Sequence, residues 1–376
     1  MKVLGIMSGT SMDGVDYALC SVRRGRIELL DLWSRAFPTG LRRRLSAAAA
    51  DEASSHELAQ LHHDLGRFYA RHSRGGDSAP ELIGLHGQTV FHNPGKPAPA
   101  SLQIGEPSYL CEAARCPVVS NFRAGDIAAG GQGAPLATAF HQIAFQARTK
   151  TVCVNNLGGI SNVTCLRPSE CAGESPVACS FDTGPGMMLI DLAMRSLTNG
   201  RLKMDRDGRC AASGRGNKAV LKRWLRHPYF RTPPPKSSGR ELFGETFLER
   251  ALRDLKGAST EDLVATLTEF TARSLAMNYR LHLPQIPDRV VLCGGGAANR
   301  FLVERIRASL NDIGCAEATG EIELRTSADY GWPLQSVESA AFAWLAWLRW
   351  KKKPWPLPDT TGARRAALLG QINEIA

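Results

Sequence analysis

Three acidic residues in this sequence stand where a carboxylate could do chemistry. Asp182 ends the apolar run Ala178 to Asp182 and is followed by Thr183-Gly184-Pro185-Gly186, a turn that would expose its side chain at a strand-to-helix junction. A carboxylate there can take a proton from water or a hydroxyl, or it can cap the helix that begins near Met187. Glu338 stands alone at the head of the apolar run VESAAFAWLAW. It suits a second carboxylate that orients a reactant, and equally a first-turn Glu favoured by the helix dipole. Asp13 lies in Ser8-Gly9-Thr10-Ser11-Met12-Asp13-Gly14, between the apolar runs Val3 to Met7 and Val15 onward. The glycines let backbone N–H groups face a ligand, the hydroxyls add donors, and Asp13 could meet a phosphate only through Mg²⁺ or water. The competing reading is an ordinary polar hairpin turn. No GxxxxGK[ST] loop occurs in the chain, so a mononucleotide P-loop is excluded.

The pattern returns about half a chain later. Thr151 to Asn155 reads as a strand, Leu157-Gly158-Gly159-Ile160-Ser161-Asn162 as a second polar turn, and Val163 to Leu166 as the returning strand, which suggests a duplicated domain. A third glycine turn, Gly294-Gly295-Gly296, joins the buried-type run Arg289 to Cys293 to an amphipathic segment from Ala297 through Leu310. Glycines between a strand end and a helix start let a nucleoside or phosphate approach the backbone.

The elements that must position these residues follow from the apolar patterning. Strands are expected at Val3 to Met7, Val15 to Val22 and Ile27 to Phe37, a helix at Ser54 to Arg74, and a strand at Leu82 to Leu85 leading to His86-Gly87-Gln88-Thr89. A helix near Pro107 to Ala114, a strand Pro117 to Ser120 and a loop Phe122 to Pro135 come next. Beyond the hairpin at Thr151 are helix Met187 to Leu197, helices from Glu241 and from Thr260, and the strand at Arg289. Pro233-Pro234-Pro235 breaks helix and marks an irregular loop over the domain surface or a dimer face. After Trp350 the chain is Lys- and Pro-rich and ends in a short strand or turn.

Composition narrows the function classes. The chain has 376 residues, enough for two cores, and a net charge of +10. Its basic clusters, Arg42-Arg43-Arg44 and Lys351-Lys352-Lys353, are short and lack interleaved aromatics, so a solvated face is favoured over nucleic-acid binding. Ten cysteines without a C-x-x-C pair argue for free thiols in a reducing compartment and against a metal site. Asp205-Arg206-Asp207-Gly208 lacks the later residues of a calcium loop. His62 and His63 fit a packed or rim pair, and His92 a structural role, while His86 suits either a substrate contact or a structural hydrogen bond. The first residues do not read as a signal peptide and Ala340 to Leu348 is too short to span a bilayer, so a cytoplasmic protein is expected.

The three glycine turns, in this order, resemble the phosphate and adenosine elements of the superfamily that holds actin, sugar kinases and the heat-shock chaperone ATPases. More narrowly, GIMSGTSMDGVD, LIGLHGQTVFHNP, SLQIGE, FRAGDIAAGGQGAPL, NNLGGISNVT, FDTGPG, PPPKSSGRELF, CGGGAAN and VESAAFAWLAW resemble the anhydro-N-acetylmuramic acid kinase family from end to end. The resemblance implies an α/β fold of two actin-like (ribonuclease-H-like) domains, mixed sheets flanked by helices, with a nucleotide cleft between them. The domains would be 1–135, joined by 345–376, and 136–344.

It also implies the activity. ATP with Mg²⁺ would phosphorylate O6 of 1,6-anhydro-N-acetylmuramic acid as water opens the anhydro bridge, a step of peptidoglycan recycling, in a cytoplasmic homodimer. Asp182 and Glu338 would be catalytic. Gly9, Thr10, Ser11, Met12, Asp13, Gly14, Asn156, Gly158, Gly159, Gly294, Gly295, Gly296 and Asn299 would hold the nucleotide, with Asp13 reaching Mg²⁺ through water. His86, Gln88, Glu106, Arg123, Asp126 and Gly184 would line the sugar, Arg123 clamping its lactyl carboxylate. The alternatives are a kinase of an unbridged amino sugar and an actin-like structural ATPase.

Overall fold

The structure is a computed structural model that describes all residues except 10, 76–77, 94, 96–98, 171–174, 317–319 and 375–376. The chain divides into two compact units, Met1–Ile143 with Gln335–Ala376, and Ala144–Leu334.

In the first unit the strands are β1 (Lys2–Ser8), β2 (Gly14–Arg23), β3 (Arg26–Ala36), β4 (Leu82–Asn93), β5 (Ala100–Ile104) and β6 (Val118–Ser120). The described sheet runs β6-β4-β1-β2-β3, with β5 paired to β4 and the C-terminal strand Gln371–Asn373 beyond β6. β1, β2 and β3 form an antiparallel meander, whereas β1 with β4 and β4 with β6 are parallel. The second unit holds β7 (Val152–Leu157), β8 (Ile160–Leu166), β9 (Val177–Pro185), β10 (Arg289–Cys293) and β11 (Glu323–Thr326). Its order, β11-β10-β7-β8-β9, repeats that topology: a meander, then two parallel additions beside its first strand. The duplication expected from the two hairpins is a duplication of sheet topology.

The helices form where apolar spacing and caps agree. In Ser55–Arg71, Leu61, Leu65 and Tyr69 fall on one buried stripe and the Ser54 side chain accepts from Glu57 N–H. In Thr260–His282, Ser259 caps the start, Glu261 and Asp262 occupy the first turn, and Arg280 and His282 the last, as the helix dipole favours. Helix Ser336–Trp350 is buried along most of its length. It lies directly on the sheet because β1 and β4 carry glycine where it crosses: a Cβ at Gly5 would overlap the Ser339 carbonyl, and one at Gly84 the Phe342 carbonyl. No helix among the described residues is long and apolar enough to cross a membrane.

Five local readings are corrected. Helix Thr39–Ala49 was not foreseen, because its Arg- and Ala-rich sequence buries only Leu45. β4 does not stop at Leu85; it continues through His86-Gly87-Gln88 to Asn93, since β5 pairs with its far half. Residues Phe122–Ala128, read as loop, are helical, with Phe122 and Asp126 buried. β9 runs past Asp182 to Pro185, and the helix after Gly294-Gly295-Gly296 begins at Arg300 rather than Ala297, after a short 3₁₀ turn.

A Gly84→Val substitution is expected to lower stability by at least about 2 kcal/mol, since the helix backbone cannot yield as a side chain would. Urea unfolding followed by circular dichroism checks this, and a variant that unfolds with the wild type would refute the close-packing account.

Candidate active site

Ladder geometry places the site residues. At the C-terminal end of β1, Ser8 donates to Gly87 O at 3.1 Å and meets the Tyr69 hydroxyl at 3.1 Å, which ties this strand end to β4. The turn that follows is closed by Met12 N–H donating to Gly9 O (3.2 Å), with Met12 at φ 54° and its side chain packed on the core of this unit. Ser11 Oγ donates to Asp13 Oδ1 at 2.7 Å, and both side chains face solvent. Thr10 lies outside the described residues. Gln88 is fully buried and its Nε2 donates to Gly9 O at 3.1 Å, so it braces this turn from beneath. A Cβ at Gly14 would crowd the Arg35 carbonyl of β3; that glycine serves strand pairing.

Sequence reasoning also put Glu106 and Asp126 on the sugar, but the structure gives both carboxylates protein partners. Glu106 meets His62 Nε2 at 3.1 Å and accepts from Ser108 N–H (2.9 Å) and Oγ (2.6 Å). Against the upward push of burial, these bonds hold its pKa below the ordinary value. Asp126 accepts from Gly133 N–H and Thr361 Oγ1, both at 2.7 Å, pinning the glycine-rich loop to the C-terminal segment. Arg123 is different. Its Nε and Nη2 approach His86 Nε2 at 3.3 and 3.0 Å, and Nη1 donates to Gly133 O at 3.3 Å. Burial, with the Arg123 charge added, pushes the His86 pKa well down, so a neutral ring receives the guanidinium. Burial likewise lowers Arg123 to about 10, opposed by Glu338, which sits in the first turn of Ser336–Trp350. The described residues offer Arg123 no ion pair closer than this long-range partner.

In the second unit, β7 and β10 run parallel and end side by side, Cys293 opposite Asn156. Gly294, at φ 81°, is forced by its neighbours: a Cβ would strike the Asn156 side chain and the Leu157 backbone. Gly9, Gly158 and Gly295 are the contrasting cases. None has a positive φ, and a Cβ would find its nearest neighbour at 3.9 Å for Gly9, 3.5 Å for Gly158, and nothing within 4 Å for Gly295. The chain's own packing does not require glycine there, whereas a ligand lying on the backbone would. Gly159 holds the next helix: its carbonyl accepts from Gly186 N–H (2.9 Å) and Met188 N–H (3.1 Å). Asn299 caps helix Arg300–Ala316 by accepting from Leu302 N–H at 2.9 Å, and its buried Nδ2 has no partner among the described residues.

Asp182 lies on edge strand β9 beside a register break opposite Ser161 and Asn162, where Gly184 adopts φ 120°. It does not cap the following helix, whose N-cap residue Met187 receives no side-chain cap. Its Oδ2 accepts from Ser238 N–H at 2.7 Å, while Oδ1 has no hydrogen bond among the described residues. Burial, reinforced by Glu241 and opposed by Ser238 and Lys236, raises its pKa to about 7. Burial lowers the Lys236 ammonium to about 8. The proline loop is therefore not a mere surface crossing: its residues Lys236 and Ser238 bind Asp182 directly. Lys236, Ser238, Tyr229 and Asn278 were missed, although PPPKSSGRELF was among the motifs carrying the family resemblance.

A family model described as anhydro-N-acetylmuramic acid kinase matches residues 1–374. The anhydro-N-acetylmuramic acid kinase of Picosynechococcus sp. is 40% identical over 384 residues, covering 99% of each chain. That of Cyanothece sp. is 40% identical over 386 residues, also covering 99% of each chain. Among solved structures, a ROK family glucokinase from Streptomyces griseus in complex with glucose and AMPPNP aligns at 16% identity and a TM-score of 0.42, covering 92% of this chain and 99% of that one.

A carboxyl with a raised native pKa stabilises the fold most when protonated. The contribution is complete below the unfolded value of about 4 and is lost as pH rises through the folded value of about 7. Asp182→Asn keeps an acceptor for Ser238 N–H and no longer ionises. It is expected to match the wild type near pH 4 and to exceed its unfolding free energy near pH 8 by on the order of 2 kcal/mol. Equal stabilities across that range would show that the Asp182 carboxyl is not perturbed.

Proposed function

Because the chain belongs to the anhydro-N-acetylmuramic acid kinase family, we propose that it opens the internal bridge of 1,6-anhydro-N-acetylmuramic acid with water and transfers phosphate from ATP to O6, giving N-acetylmuramic acid 6-phosphate and ADP. Such a carbohydrate kinase serves cell-wall recycling. The observation that carries the mechanism is the Asp182 carboxyl, with one oxygen held by Ser238 N–H, the other without a protein partner, and a pKa of about 7.

Asp182 takes a proton from water as the water oxygen bonds to C1. The C1–O6 bond breaks, and the electron pair left on O6 forms the new bond to the terminal phosphorus of ATP, whose bond to the bridging oxygen of ADP breaks. The proton leaves Asp182 to solvent once product has gone. A base with pKa near neutrality is ionised for a useful fraction of the time and still accepts a proton readily. Phosphoryl transfer replaces the general acid that glycoside hydrolysis needs at the leaving oxygen.

The remaining roles are assigned residue by residue. Arg123, a buried guanidinium with no close carboxylate among the described residues, receives the lactyl carboxylate, with His86 behind it. Glu338 orients the sugar or water. The open backbone at Gly9, Gly158 and Gly295 accommodates the phosphates and nucleoside of ATP, with Ser11, Gly159, Gly294 and Gly296 in the same turns. Exposed Asp13 fits a hydrated Mg²⁺, which when bound neutralises developing phosphate charge. Gln88, Asp126 and Glu106 support these groups from behind. Cys20, Cys111, Cys116, Cys153, Cys165, Cys179 and Cys210 are free thiols, which suits a reducing compartment. A homodimer completes the proposal, and light scattering on the purified protein tests it.

Asp182→Asn is expected to abolish bridge opening and phosphorylation together, with a rate loss of about 10²–10⁴ or more and nucleotide affinity retained. In wild type, kcat/KM rises with pH through about 7, because the base acts only when ionised. With ¹⁸O-labelled water the product carries label at C1 and none in its phosphate. Label in the phosphate, or a phosphorylated but still bridged sugar, would sink the mechanism.

Asp13→Ala is expected to lower kcat by at least about tenfold without changing the melting temperature, since only the hold on the metal is lost. Full activity at saturating Mg²⁺ would remove Asp13 from the site.

A further inference from the structure

β9 is the outer strand of its sheet, so the main-chain groups of Asp182 that turn away from β8 cannot be satisfied by the ladder. They are satisfied by one connected set of side chains and loop atoms. Asp182 N–H donates to Lys236 O at 3.2 Å, and the Tyr229 hydroxyl donates to Asp182 O at 2.6 Å. The next carbonyl, Thr183 O, accepts from Asn278 Nδ2 at 2.9 Å. Lys236 Nζ closes the ring by donating to Asn278 Oδ1 at 2.7 Å, and it also donates to Tyr229 O at 3.3 Å. Asn278 is fully buried on helix Thr260–His282 and spends its remaining amide hydrogen on Ser274 O at 2.8 Å. Its amide can therefore point only one way.

The ammonium lies 4.8 Å from the centre of the Tyr229 ring and 5.6 Å from that of Phe181. A hydrocarbon chain would fill that space as well and with less desolvation. A charge held there on neutral acceptors, beside the one carboxylate assigned to proton transfer, calls for a reason beyond packing.

We propose that Lys236, acting through Asn278, is a positioning residue for Asp182: it locks the backbone on both sides of the base and supplies the positive charge that favours the ionised carboxylate. This rests on the assignment of Asp182 as base. The charged and titratable groups facing Asp182 are Tyr229 from the 3₁₀ turn Pro228–Arg231, Lys236 from the proline loop and Glu241 from helix Arg240–Phe243. Helix Thr260–His282 presents uncharged Ser274 and Asn278, with His282 against the neighbouring Phe181 ring. Lys236 is the cation of this set, and Glu241 opposes it.

The test uses full-length enzyme with Lys236→Met, Lys236→Gln and Lys236→Arg. Met keeps the packing and removes both tether and charge, Gln can restore a donor to Asn278 without charge, and Arg restores both. Lys236→Met is expected to lower kcat about 10- to 100-fold with the KM for the anhydro sugar nearly unchanged. It should also move the acid limb of the kcat/KM profile to higher pH. Arg should return the limb to its wild-type position, and Gln should recover part of kcat without moving the limb back. A wild-type limb and kcat in Lys236→Met would overturn the proposal. So would a loss confined to the melting temperature and the active fraction, which is what a purely structural role gives. If Met does not fold, the Gln and Arg profiles decide by the same criterion. Asp182→Asn is measured alongside: if it stays active, the assignment of the base fails, whereas if it is inactive and the Lys236 series behaves as wild type, only the clamp fails.

Discussion

Parallel pairing governs this molecule. Parallel strands cannot be joined by a tight turn, so their carboxyl ends lie together at one edge with chain leaving in different directions. Each unit has such a pair beside the first strand of its meander, β1 with β4 and β7 with β10. The Gly9 turn and Gln88 meet at the end of the first pair, and Asn156 and Gly294 meet at the end of the second. Residues scattered through the sequence collect at these strand ends for a topological reason, and loops with open backbone gather where strands stop.

The second constraint is desolvation. Burial disfavours charge on Asp182, Lys236, His86 and Arg123 alike, with opposite consequences for acids and bases. It raises the Asp182 carboxyl to about 7, which suits the proposed base, and keeps His86 an uncharged acceptor for Arg123. Two other acids, Glu106 and Asp126, meet the cost of burial through hydrogen bonds. Glu106 and Asp126 carry two or more hydrogen bonds apiece from groups of their own unit, and such carboxylates hold loops in place.

How much of this could be read from the sequence depends on the range of the interactions involved. The hairpins at Gly9 and Gly158 were legible because a turn between two apolar strands is written in consecutive residues, and their repetition gave the duplicated topology. Asp182 stood out in the sequence as a carboxylate followed by glycines, although its strand runs on to Pro185. Its environment was not: Lys236 lies more than fifty residues downstream in a proline run that resembles surface loop, and Asn278 lies within a long apolar helix, where only the fold reveals that it faces Thr183. The Thr39–Ala49 helix and the far half of β4 escaped for a related reason, since each is held by contacts distant in sequence while its local pattern is weak. The expected places of Gln88, Glu106 and Asp126 beside a sugar came from motif membership, and a motif does not carry the hydrogen bonds that the fold gives these side chains.

The two partly buried cations differ in how their donors are used. Lys236 spends its hydrogen bonds on a side-chain amide and a carbonyl that are themselves fixed, which leaves it a local tie with a field directed at Asp182. Arg123 spends Nε and one Nη on a neutral imidazole and another on a carbonyl, and its nearest compensating charge, Glu338, acts only through space. A guanidinium carries five donors in a rigid plane, so these contacts orient it without exhausting it. Desolvation has been partly incurred before any ligand arrives, and a carboxylate reaching Arg123 gains a preoriented partner in surroundings where water screens poorly. Under the proposed roles, the cation tied beside Asp182 would tune that carboxyl, and the one held by neutral neighbours with donors to spare would receive an anion.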